Sequence, residues 1–195
     1  SVYEQLSKEE AIEATRSLKS NIRQWLDDFE HIIGPKIVDY IEKHLSDNST
    51  SPYGQFYVMY KIHKGIGKNG RWPTRPVCSD VTSIPHALGK WVTEMLMPIA
   101  KAKPSYFKDS FVLKTMLDSL HLPPNARLFT SDAVSMYTNI KTKEALEEIC
   151  NHITVNQGKY RHLHPEAVQQ ALHLVFNNNI FALGDTYWRQ ISGTA

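Results

Sequence analysis

Apolar residues recur at helical spacing in the first 45 positions of the chain. A capping-box pair precedes them, because the Ser7 hydroxyl and the Glu10 carboxylate stand three residues apart and can satisfy each other's backbone N–H groups. Gly34 and Pro35 should end this helix, and further apolar residues predict a second helix over Lys36–Leu45. The apolar stripe that predicts the first helix consists of Leu18, Ile22, Trp25, Leu26 and Phe29.

The pattern then changes to one that is typical of strands. Aromatic and β-branched residues over Phe56–Ile62 predict one strand, and Thr74–Ser79 predicts its return partner across a glycine-rich tip. Pro76 has no backbone N–H to donate, so we expect the return strand at a sheet edge or a bulge. Together these residues predict a β-hairpin.

Two capped helices are expected next. Ser83 is predicted to cap a helix with Pro85 in its first turn. Asp109 is predicted to cap a further helix that ends at Leu120. The apolar face of the first of these helices consists of Leu88, Val92, Met95, Leu96 and Ile99.

The last third of the chain mixes strands and helices. Arg127–Ala133 predicts a short strand that ends at Asp132, and helical patterns cover 142–153 and 165–176. Two strands joined by Gly184 and Asp185 predict a closing β-hairpin over 180–191. Because helices and strands alternate irregularly, the chain predicts an α+β fold and no βαβ repeat.

Basic residues concentrate in the first predicted hairpin, although the whole chain is nearly neutral. The chain has 22 Lys and Arg against 20 Asp and Glu, a formal net charge of +2. Residues 60–75 nevertheless contain five basic residues and no acidic one. Such a local concentration suits the phosphates of a nucleic acid. On charge alone, a solvated basic loop is the favoured alternative.

Other features exclude whole classes of protein. No apolar run approaches the ~18 residues that a membrane span needs, and the N-terminus carries no basic-then-apolar secretory signal. Cys78 and Cys150 are far apart, and neither belongs to a CxxC pair or to a Cys/His cluster with zinc-finger spacing. We therefore expect a reducing intracellular compartment and two thiols buried as small hydrophobic groups.

Asp132 is the residue whose position points to chemistry. The short strand would present its carboxylate at the strand end, and Tyr137 follows five residues later. A hard cation such as Mg²⁺ takes oxygen ligands of this kind, together with waters and substrate phosphates. For an isolated strand end, an Asp that only caps the next turn is the favoured alternative.

Five ordered segments resemble the reverse transcriptases, most closely those of Penelope-like retroelements. The resemblance runs from Phe56 to Ala195, and its order makes it specific, because each segment alone is a weak signature. The segments are Tyr60–Lys64 (Tyr-Lys-Ile-His-Lys), Arg75–Ser79 (Arg-Pro-Val-Cys-Ser), Leu122–Ala126 (Leu-Pro-Pro-Asn-Ala), Phe129–Ile140 (with Asp132 and the run Tyr-Thr-Asn-Ile) and Gln190–Ala195 (Gln-Ile-Ser-Gly-Thr-Ala).

The resemblance implies a nucleotidyl-transfer site that uses two Mg²⁺ ions. Asp132 would bridge both ions, and the Ala133 carbonyl would be a further ligand. The backbone amides of Ser135 and Met136 would lie near the incoming triphosphate. Tyr137 would lie under the sugar and exclude a 2′-hydroxyl, which favours deoxynucleotides. From spacing alone, a core aromatic is an equally good interpretation of Tyr137.

The hairpin would supply the cations of this site. The resemblance assigns Lys61 and Arg75 to the triphosphate, where positive charge stabilises the charge that develops in the reaction. It leaves Lys64 and Lys68 for template phosphates. Which of the three lysines acts on the triphosphate depends on the hairpin register, because a one-residue slip turns every side chain to the other face.

A glycine near the end of the chain would complete the nucleotide pocket. Gly193 would let the backbone approach the base pair without a Cβ. The resemblance places Gln190 beside the nucleotide and Ser192 beside the template. The family often has Gln where this chain has Ser192, so the choice between these two side chains stays open.

The implied fold is the fingers and the first part of the palm of a polymerase, an antiparallel sheet packed by helices. The expected divisions are an N-terminal helical extension (1–52), fingers (53–126) and a partial palm with a fingers-type helical insertion (127–195). A Tyr-x-Asp-Asp hairpin with the second pair of carboxylates would follow the last residue. The 195 residues alone are therefore expected to be inactive.

The expected partners and location follow from the same resemblance. Partners would be an RNA template, a DNA primer and deoxynucleoside triphosphates, with no membrane. The rest of the palm, the thumb and the nuclease domain that the family often carries would belong to the same polyprotein. The expected location is intracellular, in the nucleus.

Other interpretations compete with this one. Asp27 and Asp28 mimic the missing pair, but they stand in a helix-period segment, so we expect them on a solvated helix face. His63 is not expected to bind metal. An RNA-templated RNA polymerase is an alternative, which Tyr137 disfavours. A non-catalytic nucleic-acid-binding remnant of a retroelement is another.

Overall fold

Helices and strands alternate without a repeating unit, as the α+β prediction requires. The computed structural model of the protein describes residues 2–49, 51–127, 129–133, 136–160 and 162–193. The α-helices in these ranges are α1 (Lys8–Ile33), α2 (Pro35–Ser46), α3 (His86–Lys101), α4 (Ser110–Asp118), α5 (Met136–Asn139), α6 (Thr142–Val155) and α7 (Pro165–Phe176). The strands are β1 (Tyr3–Leu6), β2 (Gly54–Tyr60), β3 (Thr74–Ser79), β4 (Ile180–Leu183) and β5 (Thr186–Gln190).

Helix α1 begins and ends where its local chemistry predicts. The Ser7 backbone N–H donates to Glu10 Oε2 at 2.7 Å, and the Glu10 N–H donates to Ser7 Oγ at 3.1 Å. Both halves of the predicted capping box therefore form, and the hydrogen bonds from the backbone and side chain of Ser7 to the Glu10 carboxylate hold the pKa of Glu10 below its usual value. At the other end Gly34 has a φ of +80°, a conformation that favours glycine, and Pro35 begins α2.

One hydrophobic core joins helices from both ends of the chain. Trp25 of α1 is buried in it, with its indole 5.0 Å from that of Trp91 in α3. The Trp25 Nε1–H donates a 3.0 Å hydrogen bond to the Ala167 carbonyl in α7. The whole predicted apolar stripe of α1 is buried, and residues of α2 and α6 complete the cluster. The N-terminal helices thus share a core with α3 and α7, while the boundary at residue 52 stays a prediction.

The five strands form one sheet in the order β1-β5-β4-β2-β3. Three neighbouring pairs are antiparallel, but β2 and β4 run parallel. The sheet is therefore mixed, and the predicted antiparallel sheet was wrong at this one junction. The physical reason is that β2 and β4 belong to separate hairpins, so no tight turn dictates their relative direction. Strand β1 was not predicted at all.

Both predicted hairpins are confirmed. The Lys61 N–H donates to the Pro73 carbonyl at 2.8 Å, and Met59 lies opposite Arg75. Hydrogen-bonded and non-hydrogen-bonded pairs alternate along an antiparallel ladder, so the pair of Val58 and Pro76 is a non-hydrogen-bonded one. A backbone N–H at position 76 would point away from β2, and the proline therefore removes no hydrogen bond of the ladder. Strand β3 is an edge strand, as Pro76 predicted. In the second hairpin, Gly184 has a φ of +57° in the two-residue turn between β4 and β5.

The predicted strand over 127–133 was wrong. Among the described residues, 129–133 form no strand, and Phe129 is 88% exposed. A strand is stable only when its backbone groups find neighbours, and no described strand pairs with this segment. Residue 128, the other apolar position of this prediction, lies outside the described residues.

The predicted cap at Ser83 was also wrong, whereas the cap at Asp109 is confirmed. Helix α3 starts at His86, and no side chain caps it. The Ser83 carbonyl accepts a 2.8 Å hydrogen bond from His44 Nε2, and the Ser83 hydroxyl is buried without a partner in the described residues. Asp109 Oδ1 accepts from the Phe111 and Val112 N–H groups at 3.0 Å each, so α4 is capped as expected. No helix in the described part of the chain is long and apolar enough to cross a membrane.

Candidate functional site

The register of the basic hairpin decides which lysine accompanies Arg75. Lys61 lies one residue beyond β2 and still pairs with Pro73 of the returning chain. Because side chains alternate between the faces of a strand, Lys61 and Arg75 leave the hairpin on the same face, where Met59 lies opposite Arg75. Lys64 lies in a 3-10 turn and Lys68 lies in the glycine-rich tip, so neither continues this pairing.

Exposed aromatic side chains lie in the same hairpin, with Tyr57 on the face of Lys61 and Arg75 and Tyr60 on the opposite face. Tyr57, Tyr60 and Trp72 lie in the hairpin and are all exposed, with Tyr60 at 65%. Rings beside basic residues form a surface on which the bases of a single strand can stack while the cations contact its phosphates. These rings were not among the predicted site residues, although their position among Lys and Arg was the available signal.

A second assembly lies where β5 ends. Gly193 has a φ of +80°. Its N–H donates to the Ile140 carbonyl at 3.0 Å, and its own carbonyl accepts from Thr142 Oγ1 at 2.8 Å. Two segments about 50 residues apart in sequence are thereby joined, the one that ends the Tyr-Thr-Asn-Ile run and the one that contains Gly193.

Gln190 is part of this turn. Gln190 is only 8% exposed, and its Nε2 donates a 3.0 Å hydrogen bond to the Ser192 carbonyl. Ser192 itself is half-buried. The amide of Gln190 is therefore engaged within the protein and does not point freely to solvent.

The residues around Asp132 are accessible. Asp132 and Ala133 are exposed, and in α5 Met136 is 46% and Tyr137 63% exposed. Ser135 lies outside the described residues. The Tyr137 ring is consequently not a core aromatic here, which was the alternative interpretation of this residue.

The structure does not join Asp132 to the basic hairpin directly. Among the described residues, no ion pair links its carboxylate to Lys61 or Arg75. No group of three or more His, Cys, Asp or Glu side chains in those ranges could hold a metal ion. Asp132 thus offers one accessible carboxylate, which fits one ligand of a Mg²⁺ site but not a complete set.

Among the remaining candidates, the acidic pair lies on a solvated helix face as expected, whereas the two thiols predicted to be buried are only half-buried. Asp27 and Asp28 are exposed on α1, where Asp28 Oδ1 accepts a 2.9 Å hydrogen bond from Gln24. His63 is exposed. Cys78 and Cys150 are half-buried free thiols. Burial raises the pKa of the Cys78 thiol to about 11 and also raises that of Cys150, so burial works against the thiolate form that a nucleophile needs.

Comparison of the chain with protein-family models, with curated proteins and with solved structures found no match.

Proposed function

We propose that the chain forms the fingers and the first part of the palm of an RNA-directed DNA polymerase of a retroelement. In this proposal the complete enzyme extends a DNA primer on an RNA template by transferring deoxynucleotides. The observation that carries the proposal is the junction at Gly193. Two segments that resemble separate reverse-transcriptase motifs, and that would border the same nucleotide, are hydrogen bonded to each other through Gly193 and Ile140.

The hairpin acts on the phosphates. Lys61 and Arg75 share one face, so both can approach the same triphosphate, with the Arg75 guanidinium offering a bidentate contact and Lys61 a point charge. Lys64 and Lys68 lie farther out and contact the template phosphates. Tyr60 and Trp72 add a surface for unpaired template bases.

The exposed segment after residue 128 acts on the reacting end of the nucleotide. Asp132 and the Ala133 carbonyl would hold Mg²⁺ together with carboxylates from beyond residue 195. When bound, the two ions would stabilise the attacking and leaving oxygens. The backbone amides of Ser135 and Met136 would approach the triphosphate. The Tyr137 ring, which is accessible, would lie under the sugar and leave no space for a 2′-hydroxyl.

The end of β5 supports the base pair. Gly193 has no Cβ, and its positive φ is one that other residues adopt at a cost. The residue is buried, with its N–H and carbonyl bonded to Ile140 and Thr142, so in this proposal it sets the shape of the turn beside the base pair. Ser192 lies beside it and faces the template. Gln190, whose amide is bonded to the Ser192 carbonyl, keeps this turn in shape next to the nucleotide.

Nucleic-acid binding by the 195 residues tests the first half of the proposal. A labelled DNA primer on an RNA template with a single-stranded overhang would be titrated at several salt concentrations. Replacing Lys64 and Lys68 by Ala should weaken binding and reduce the slope of log K against log salt by about 1 per lost phosphate contact. The matched control replaces Lys36 and Lys43, two exposed lysines of α2, by Ala. Equal losses in both double variants would contradict a site on the hairpin.

Primer extension by the complete polymerase tests the second half. Asp132→Asn should abolish extension and leave primer–template binding intact, because the carboxylate serves chemistry and not affinity. Tyr137→Ala should increase ribonucleotide incorporation, since the ring no longer fills the space below the sugar. A native enzyme that already prefers ribonucleotides would overturn the assignment to DNA synthesis.

A second candidate function is supported by the hairpin alone. Five cations with exposed rings can bind a single strand without any catalysis, as a non-catalytic remnant would. Salt-dependent binding in the first experiment, combined with no extension by the complete protein, would favour this candidate.

A further inference from the structure

Strand β1 is paired with the strand that leads into Gly193. Leu6 lies opposite Tyr187, and Tyr3 lies opposite Gln190. The pairing continues past β5, because the Ile191 N–H donates to the Val2 carbonyl at 2.9 Å. The first residues of the chain thus reach to within two positions of Gly193.

Side chains strengthen this contact on both faces of the sheet. The Glu4 carboxylate lies 3.6 Å from the Arg189 guanidinium. On the other face, the Tyr3 ring meets Phe181 edge to face, with centroids 5.5 Å apart. Tyr3 and Gln190 form a pair without ladder hydrogen bonds, the kind in which opposite side chains are closest.

The turn over 191–193 is therefore held from two sides. On one side is the β1 backbone at Val2, and on the other are Ile140 and Thr142 through their hydrogen bonds to Gly193. Inside the turn, Gln190 donates to the Ser192 carbonyl. These residues belong to no helix or strand of their own, so such bonds set their position.

We infer that β1 is a positioning element for the nucleotide pocket, and that Gln190 acts through the turn and not by touching the nucleotide. The inference rests on the proposed function, because it assigns Gly193 to that pocket. Displacements on the order of 1 Å in groups that orient a substrate can cost ~10²-fold in rate. Loss of β1 should thus impair nucleotide binding although β1 contacts no substrate.

The ladder supplies a matched pair of variants. Because Ile191 donates to Val2, the alternation of hydrogen-bonded pairs gives Glu4 a backbone N–H that points to β5 and Gln5 one that points away. Glu4→Pro therefore removes a ladder bond, while Gln5→Pro removes none. Glu4→Gln keeps the backbone and removes only the charge that faces Arg189.

Hydrogen exchange in the 195-residue chain tests whether β1 holds the turn over 191–193 in place. Glu4→Pro should speed exchange at the Ile191 and Gly193 amides by at least about fivefold, the effect of one lost hydrogen bond. Gln5→Pro and Glu4→Gln should stay within about twofold of the parent. Amides of α7 report whether the core is intact. If Glu4→Pro unfolds the core, Tyr3→Ala replaces it. That variant weakens the docking of β1 by removing the ring contact with Phe181, so exchange at Ile191 and Gly193 should change in the same direction. Unchanged exchange at Gly193 with a folded core would overturn the inference.

Steady-state primer extension by the complete polymerase tests whether loss of β1 impairs nucleotide binding. Glu4→Pro should raise the KM for deoxynucleotides by at least about fivefold, with a smaller change in kcat and none in primer–template affinity. Gln190→Met, which cannot donate to Ser192, should act in the same direction, and Gln190→Asn should restore part of the loss. An unchanged KM in an active enzyme would overturn the role of β1 and leave the proposed function standing. No extension by the parent enzyme would overturn both.

Discussion

The helical core and the segment over 101–139 present opposite relations between sequence and burial. In the core, α1, α2, α3, α6 and α7 bury the apolar faces that their periodicity predicts. In the segment, every described residue is exposed, apolar ones included. Phe111 of α4 is 78% exposed, whereas Trp25 of α1 is 1% exposed. The two regions thus differ in what their apolar residues contribute to stability.

The contrast separates the scaffold from the candidate chemistry. The core places the sheet and its hairpins, which contain Lys61, Arg75 and Gly193. Asp132 and Tyr137 lie in the exposed segment, which is tied to the sheet through the Ile140–Gly193 hydrogen bond. Local stability is low where few apolar groups are buried, so the described residues of this segment should open more readily than those of the core.

The largest expected effect is on the free energy of unfolding, and it tests the difference in burial between the core and the exposed segment. Trp25→Ala removes a buried indole and its hydrogen bond to Ala167, so we expect about 3–5 kcal/mol lower free energy of unfolding. Phe111→Ala, the matched aromatic of the exposed segment, should change it by less than about 0.5 kcal/mol. Urea denaturation followed by circular dichroism measures both. A cost for Phe111→Ala similar to that for Trp25→Ala would mean that α4 packs in solution.

Sequence patterns predicted the elements that depend on local chemistry and on one buried face. The capping box at Ser7, the N-cap at Asp109 and the turn at Gly184 are of this kind, since a few neighbouring atoms decide them. The helix that contains Trp25 was also predictable, because its apolar residues lie on one face and pack against a core on that side alone. Each of these features can be predicted from a short stretch of sequence.

The predictions that failed depend on distant partners. The strand expected before Asp132 has apolar residues but no neighbouring strand among the described residues, and propensity without pairing does not form a sheet. Strand β1 has a polar sequence, and it exists because β5 offers an edge. The parallel pairing of β2 and β4 joins residues more than 100 positions apart, which no local pattern encodes.

For the candidate site, the resemblance supplied residues and the structure supplied their arrangement. It could not separate Lys61 from Lys64 and Lys68, because that choice needs the hairpin register. It assigned Gln190 to the nucleotide, whereas the amide of Gln190 is bonded to the Ser192 carbonyl within the turn. The spacing of Tyr137 could not predict its exposure, because aromatic residues occur in helices both at core positions and at surface positions.

Helix caps give a second and smaller test of the same contrast. Ser7→Ala should lower the global free energy of unfolding by about 1 kcal/mol, because α1 is part of the core. Asp109→Ala removes the same kind of cap from α4, but α4 is exposed, so global unfolding should not change. Its effect should be confined to faster hydrogen exchange within 110–118. An equal global loss in both variants would show that the segment unfolds together with the core.

The smallest expected effect is a dependence of stability on pH. Arg23 donates to Glu42 across α1 and α2 at 2.7 Å, which lowers the pKa of Glu42 from its usual value of about 4.5. Between the folded pKa and 4.5 the unfolded chain binds more protons, so this contribution is complete above that range and is lost as pH falls through the folded pKa.

Glu42→Gln should therefore cost about 0.2–1 kcal/mol at pH 7, a small amount because the pair is partly exposed, and the difference from the parent should vanish in strong acid. Urea denaturation between neutral and strongly acidic pH measures the difference. Asp118→Asn, which removes the carboxylate of an ion pair within α4, is the matched control and should leave the curve unchanged. A difference for Glu42→Gln that persists in acid would mean that its side chain acts by packing and not by charge. A difference of similar size for Asp118→Asn would attach α4 to the cooperative core.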